Sequence, residues 1–138
     1  FLHWGHDISP EENQYQAGLN FTISYKKPFD FIGKKNLLKI RDQKIDKRFV
    51  MLVLKESEPG RPLLIHEEPI YLDDKIIGKT TSGNYSFNYK KNLSFGYILT
   101  DISNEKLTKS NLSIEIEKKK FLVNLLLKPL KQNNFKNI

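Results

Sequence analysis

The sequence predicts a mainly β protein: a small antiparallel six-stranded barrel preceded by a short α+β segment. Three observations lead there. From Phe49 onward, short apolar runs alternate with turn residues roughly every 8 to 12 positions, the rhythm of a small sandwich or barrel. No helical periodicity recurs after residue 48. Gly78, Gly83 and Gly96 fall inside strand-like runs, and closure of a barrel needs bends or bulges at such places, which favours barrel over sandwich.

Taken in order, residues 1 to 30 read as a loop, a short helical turn and a strand. Ser9-Pro10-Glu11-Glu12 offers a capping residue, a proline at the first helical position and acids where the helix dipole favours them. Gly18 stops that turn, and Phe21, Ile23 and Tyr25 alternate with Thr22 and Ser24 as a half-buried strand would. Asp30 is placed to cap a helix that carries Leu37, Leu38 and Ile40 on one side and ends near Gln43. The charged stretch Lys44 to Arg48 predicts a boundary, with residues 1–46 as one unit and 47–138 as another.

Beyond it, Phe49 to Leu54 is almost continuously apolar, the mark of a strand covered on both sides or curled. Pro69 to Leu72 and Lys75 to Thr81 flank Asp73-Asp74 as a tight hairpin. Asn84 to Asn88 and Leu93 to Leu99 follow as two strands, then Leu112 to Ile116 and Phe121 to Leu127 joined by Lys118-Lys119-Lys120. The stretch Lys131 to Ile138 is expected to be loosely held.

Composition narrows the chemistry. The 138 residues contain no cysteine, which removes disulfides, thiolate nucleophiles and thiolate metal sites, and a cytoplasmic location is the expectation. The longest apolar run, Phe121 to Leu127, is interrupted by Asn124 and far too short to cross a bilayer, so no membrane partner is expected. The net charge of +7 rests almost wholly on lysines, the arginines being Arg41, Arg48 and Arg61. Base readout favours the planar guanidinium, and the lysines read as solvated surface, with no nucleic acid expected. A basic barrel that binds single strands through Tyr89-Lys90-Lys91 and Lys120-Phe121 is the non-enzymatic alternative.

No nucleophile elbow, Walker loop or dinucleotide fingerprint is present. His3, His6 and His66 lack the spacing of a metal site, and none is expected. His6 and Asp7 admit two readings, a ligand-facing loop or a purely structural one; as sequence neighbours they point apart and form no simple dyad. In Gly78-Lys79-Thr80-Thr81-Ser82-Gly83-Asn84-Tyr85-Ser86, small hydroxyl residues lie between glycines, as in a β-bulge or a close approach to a ligand, and Tyr85 adds an aromatic with a polar tip.

The ordered motifs Trp4-Gly5-His6-Asp7-Ile8, Tyr15-Gln16-Ala17-Gly18-Leu19, Asp30-Phe31-Ile32-Gly33-Lys34, Pro69-Ile70-Tyr71, Gly78 to Ser86 and Leu93-Ser94-Phe95-Gly96-Tyr97 resemble the glycine-cleavage T-protein (aminomethyltransferase) superfamily. The likeness runs from residue 1 to about 130, and its wording is nearest to the carboxy-terminal part of dimethylglycine and sarcosine dehydrogenases.

The resemblance implies the end of a folate-binding domain followed by the family's carboxy-terminal barrel. In such enzymes an amino-terminal FAD domain oxidises an N-methyl amine, and tetrahydrofolate captures the one-carbon unit. The family's catalytic aspartate precedes the region matched here, so no catalytic residue carries over. The start at Phe1-Leu2-His3-Trp4, without methionine or polar lead-in, fits the expectation of a carboxy-terminal piece, inactive alone, whose partners are upstream domains of the same chain, folate and a small N-methyl amine. The family places an aromatic near the folate two residues beyond the position of Leu19; Phe21 stands there, where relatives carry Tyr or Trp, so a hydroxyl or indole hydrogen bond is lost. The Gly5-His6-Asp7 loop and the Thr81-Ser82-Gly83 turn resemble segments near the same cavity, making Phe21, His6, Asp7, Thr81, Ser82, Gly83 and Tyr85 the candidate cofactor-binding residues. A stand-alone aminomethyltransferase without a flavin domain is the second enzymatic reading.

Overall fold

The computed structural model describes residues 2–127; the expectation for 131 to 138 lies outside them. The elements are a 3-10 turn at Asn20–Thr22, α1 (Lys34–Arg41), β1 (Lys47–Leu54), β2 (Pro69–Leu72), β3 (Lys75–Ser86), β4 (Lys91–Leu99), α2 (Asn104–Lys109), β5 (Leu112–Ile116) and β6 (Lys119–Leu126). The strands close a barrel in the order β1-β4-β3-β2-β5-β6, each pair antiparallel. The expected mainly β, closed six-stranded barrel is what forms. Among the described residues no helix is long and apolar enough to cross a membrane.

Alternation fills the barrel. Val50, Leu52 and Leu54 point inward from β1 and meet Ile70, Leu72, Ile77, Ile98, Ile114, Ile116 and Val123, all buried. Leu64 from the β1–β2 connection and Leu107 from α2 join the same cluster. Burying each such side chain contributes roughly 1.5–3 kcal/mol, so this cluster dominates the stability of the fold. The outward residues of β1 explain its near-continuous apolar run. Phe49 packs against Phe95 and Tyr97 at ring-centroid distances of 5.1 and 5.2 Å, and its backbone N–H donates to the Gln16 carbonyl at 2.8 Å. The segment before the barrel therefore lies across the outside of β1 and β4, giving β1 cover on both faces.

Two glycines are there for close approach. A Cβ on Gly78 would lie 1.9 Å from the Tyr97 carbonyl oxygen on the neighbouring strand, and one on Gly83 would strike Leu64 at 2.6 Å. The hairpin at Asp73-Asp74 forms as expected, with Leu72 opposite Lys75 and Asp73 at φ 55°.

Several expectations are corrected. Phe21 to Tyr25 is not a strand: Thr22 N–H and Oγ1 turn back onto the Leu19 carbonyl at 3.0 and 2.7 Å. Alternation without a neighbouring strand to pair with yields no ladder, and local bonds win. The Ser9-Pro10-Glu11-Glu12 stretch makes capping bonds, Ser9 N–H and Oγ both donating to Glu12 Oε2 at 2.9 and 2.6 Å and Ser9 Oγ accepting from Glu11 N–H at 3.1 Å, yet forms only a turn. α1 is entered through Gly33 at φ 88°, while Asp30 accepts from Phe31 N–H and pairs with Lys34 at 3.7 Å. Asn84 to Asn88 is no separate strand, because β3 runs on through a bulge to Ser86. The lysine turn is shifted: Glu117 and Lys118 take the positive φ angles, and Lys119 and Lys120 already pair in β6. α2 was not anticipated, since Leu107 is its one buried residue and supplies no period; Ser103 Oγ accepting from Lys106 N–H at 3.2 Å starts it.

Candidate functional site

Asp7 is the hinge pin between the leading segment and the barrel. A tight turn, with Gly5 at φ 90°, brings its carboxylate back under its own loop, where Oδ2 accepts from His3 N–H at 2.7 Å. Oδ1 accepts from Thr81 Oγ1 at 2.5 Å and Ser82 Oγ at 2.8 Å, and the Asp7 carbonyl accepts from the Tyr97 hydroxyl at 2.8 Å. Asp7 is only 1% exposed. Consecutive residues of a regular strand point to opposite faces, so Thr81 and Ser82 reach one acceptor only because the β3–β4 register shifts between Thr80 and Gly83. That bulge is the structural meaning of the hydroxyl-rich stretch between glycines.

Beside this clasp a cleft of about 310 Å³ runs along the seam, lined in part by His6, Glu12, Lys47, Glu67, Lys79 and Tyr97. Glu12 and Lys47 pair at 2.6 Å, and the Lys47 ammonium lies 5.0 Å from the Tyr97 ring centroid. Burial pushes the Glu12 carboxyl up, but Lys47 and the Ser9 hydrogen bonds outweigh it and hold the acid below its ordinary range. Burial, with the charges of Glu12 and Asp7, pushes the Tyr97 phenol upward, so it stays a neutral donor to Asp7. At the mouth, Lys79 and Glu67 pair at 2.6 Å in solvent.

His6 stacks on His3 with ring centroids 4.5 Å apart and lies 5.7 Å from His66 at a tilt. Stacked rings aim their nitrogens in parallel rather than at one point, and among the described residues no group of acids and histidines is arranged to hold a metal. Tyr85 stands on the other side of the bulge, in an outer groove of about 380 Å³ with Met51, Ser82, Gly83, Leu93 and Phe95, its ring edge-on to Phe87 at 5.1 Å. Phe21 is 79% exposed. The structure thus brings Asp7, Thr81 and Ser82 into one hydrogen-bonded group, sets His6 at the cleft and Tyr85 at the groove, and leaves Phe21 standing out from its turn.

Two features escaped sequence reasoning. Tyr97, quoted only as part of a motif, completes the clasp; an aromatic at an outward position beside glycine was its signal. Tyr15 and Tyr25 share a hydrogen bond of 2.6 Å between their hydroxyls, and Arg41 lies 5.8 Å from the Tyr25 ring. Desolvation and that hydrogen bond push the Tyr15 phenol up to about 12.

Against known proteins, residues 47–131 match the family model described as the glycine cleavage T-protein C-terminal barrel domain. The chain is 42% identical over 85 residues to a 4-methylaminobutanoate oxidase (formaldehyde-forming) of Paenarthrobacter nicotinovorans, covering 62% of this chain and 10% of that protein. It is 34% identical over 103 residues to the mitochondrial dimethylglycine dehydrogenase of Homo sapiens, covering 75% of this chain and 12% of the relative. An aminomethyltransferase of Listeria innocua is 36% identical over 97 residues, covering 70% of this chain and 26% of the relative. The crystal structure of the glycine cleavage system aminomethyltransferase T from Bartonella henselae superposes with a TM-score of 0.71 at 18% identity, over 89% of this chain and 33% of that one. The chain spans about a tenth of the oxidase and dehydrogenase relatives and about a quarter of the aminomethyltransferase. With a closed six-stranded barrel and a family match over 47–131, the chain belongs to the glycine cleavage T-protein C-terminal barrel family.

Proposed function

We propose that this chain is the carboxy-terminal portion of a folate-dependent one-carbon enzyme of the dimethylglycine and sarcosine dehydrogenase type, and that residues 1–46 help to form its tetrahydrofolate site while 47–138 brace it. One observation carries the reading: the exposed ring of Phe21, at 79%, sits on a segment that the Asp7 clasp pins to the barrel. A ring held out from the core has no packing role and offers a face for a flat heterocycle. Bound tetrahydrofolate would supply the acceptor for a one-carbon unit released by N-methyl amine oxidation.

The candidate residues then divide by their surroundings. Phe21 stacks, His6 lines the approach through the cleft, and Tyr85 presents its ring from the outer groove. Asp7, Thr81 and Ser82 are positioning residues, since their polar atoms are bonded to one another, and Gly83 makes room for Leu64. FAD does not fit this chain, which has no dinucleotide fingerprint; the flavin belongs to upstream domains of the parent polypeptide. A cytoplasmic parent is compatible with the cysteine-free composition of this chain, and the human relative is mitochondrial by name.

Calorimetric titration with tetrahydrofolate, run on this chain and on the parent polypeptide, tests the proposal. Saturable heat with the parent, and neither dehydrogenase nor transferase turnover with the chain alone, is expected; no binding to the parent would overturn it. The likeness to aminomethyltransferases favours the second reading, part of an aminomethyltransferase. A flavin absorbance spectrum from the purified parent supports the first reading, and its absence the second.

A further inference from the structure

The turn that carries Phe21 has little beneath it. The 3-10 turn Asn20–Thr22 buries none of its residues. Its own bonds are local: Thr22 N–H and Oγ1 return to the Leu19 carbonyl, and Ile23 N–H donates to the Asn20 carbonyl at 3.1 Å. Among the described residues, one hydrogen bond from the stretch 20–33 reaches further than four positions along the chain, and it joins the Tyr25 and Tyr15 hydroxyls at 2.6 Å.

That bond brackets Phe21, and each end of it is tied to something firmer. Tyr15 precedes Gln16, whose carbonyl accepts from the Phe49 N–H of β1 at 2.8 Å, and Ala17, which is buried. The Tyr25 ring lies 5.8 Å from the guanidinium of Arg41 at the end of α1, itself paired with Asp42 at 2.9 Å. The two hydroxyls therefore close the chain around Phe21 and link it to β1 on one side and α1 on the other. Desolvation and the bond itself push the Tyr15 phenol up to about 12, so the bond persists across the neutral range. A ring that must be ordered as its ligand arrives loses affinity in proportion to the time it spends elsewhere, and a turn held beforehand avoids that loss.

We infer that the Tyr15–Tyr25 hydroxyl pair positions Phe21, holding its turn so that folate meets a ring already in place. The inference rests on the reading of Phe21 as the stacking residue. Neither tyrosine touches the ligand in this scheme; both act through Phe21.

The test is calorimetric titration of the parent polypeptide with tetrahydrofolate in five forms: native, Tyr15→Phe, Tyr25→Phe, Phe21→Ala, and Phe21→Ala combined with Tyr25→Phe. Each tyrosine variant keeps its ring and loses the one shared bond, so each should bind about three- to tenfold more weakly, the scale of a single hydrogen bond. With Phe21 already replaced by alanine, Tyr25→Phe should weaken binding no further, because the two act as a unit. In this chain labelled at tyrosine Cζ, Tyr25→Phe should also bring the Tyr15 titration down toward its ordinary 10.

Native affinity in both tyrosine variants, a further loss in the combined variant, or an unmoved Tyr15 titration would overturn the inference. A parent whose affinity falls in Phe21→Ala but not in Tyr25→Phe or Tyr15→Phe sinks the positioning role and leaves the folate reading standing. A native parent that binds no tetrahydrofolate sinks both. Should one tyrosine variant fail to fold, the other decides, since the bond is lost from either end.

Discussion

Between the strands of the barrel, backbone ladders close in a ring, broken only by register shifts at Ile70/Tyr71 and Thr80/Gly83 among the described residues, around a buried apolar cluster from Val50 to Val123. The segment that precedes it is attached differently. Among its described residues Ala17 is the one buried apolar side chain, and its hold on the barrel rests on polar contacts: Asp7 with Thr81, Ser82 and Tyr97, Glu12 with Lys47, Gln16 with Phe49, and Asp46 with Thr100. Burial spreads its energy over one cluster whose members are lost together, whereas a few directed bonds can be lost one at a time without disturbing the barrel. The barrel should therefore unfold as a unit, and the segment should come off first.

The barrel offers the largest effect. Ile114 is fully buried in the middle of the cluster, and Ile114→Ala should cost about 2–5 kcal/mol through lost transfer energy and a residual cavity. Urea unfolding measures it, and segment and barrel should melt together in this variant. A cost under about 1 kcal/mol would mean that the cluster is not the seat of stability.

Asp7→Ala should cost about 2–3 kcal/mol, since it removes a charged acceptor and strands the Thr81 and Ser82 hydroxyls. The difference from Ile114→Ala is where that cost appears. Hydrogen exchange should speed up at residues 3–8 and at Phe49, with barrel amides still protected. Uniform loss of protection would erase the distinction between the two regions.

Acid should separate them more gently. Glu12 has a folded pKa held below its ordinary 4.5, so its contribution is complete above that value and is lost as pH falls through the depressed folded value. Stability of the segment should thus decline below about pH 4.5, and Lys47→Met, which removes the main partner, should flatten that decline. A melting curve followed by Tyr97 environment across this range checks the sign.

The same contrast explains what the sequence disclosed. Inward residues at a spacing of two, the Asp73-Asp74 turn and the strand glycines made the barrel legible, because strand packing repeats. The Phe21 to Tyr25 alternation carried the same signal and misled, since no strand lies beside it. Of the candidate site, Asp7, Thr81 and Ser82 were nameable as residues, but their convergence depends on a register shift 74 residues along the chain from Asp7, which no local pattern encodes. α2 rests on one buried leucine and a serine cap, too little for a period to show.

The smallest expected change in stability belongs to Phe21, and it is the sharpest test of the site. A side chain 79% exposed contributes little packing, so Phe21→Ala should alter unfolding by no more than about 0.5 kcal/mol. If the ring stacks on a pterin or aminobenzoyl group, the same substitution should weaken tetrahydrofolate binding by the parent polypeptide about tenfold, the scale of one lost aromatic stack. Phe21→Trp, which keeps the stacking face and adds an indole N–H, should bind at least as well as the native chain. An affinity unchanged in Phe21→Ala would leave the exposed ring unexplained by folate and move the search to the groove around Tyr85.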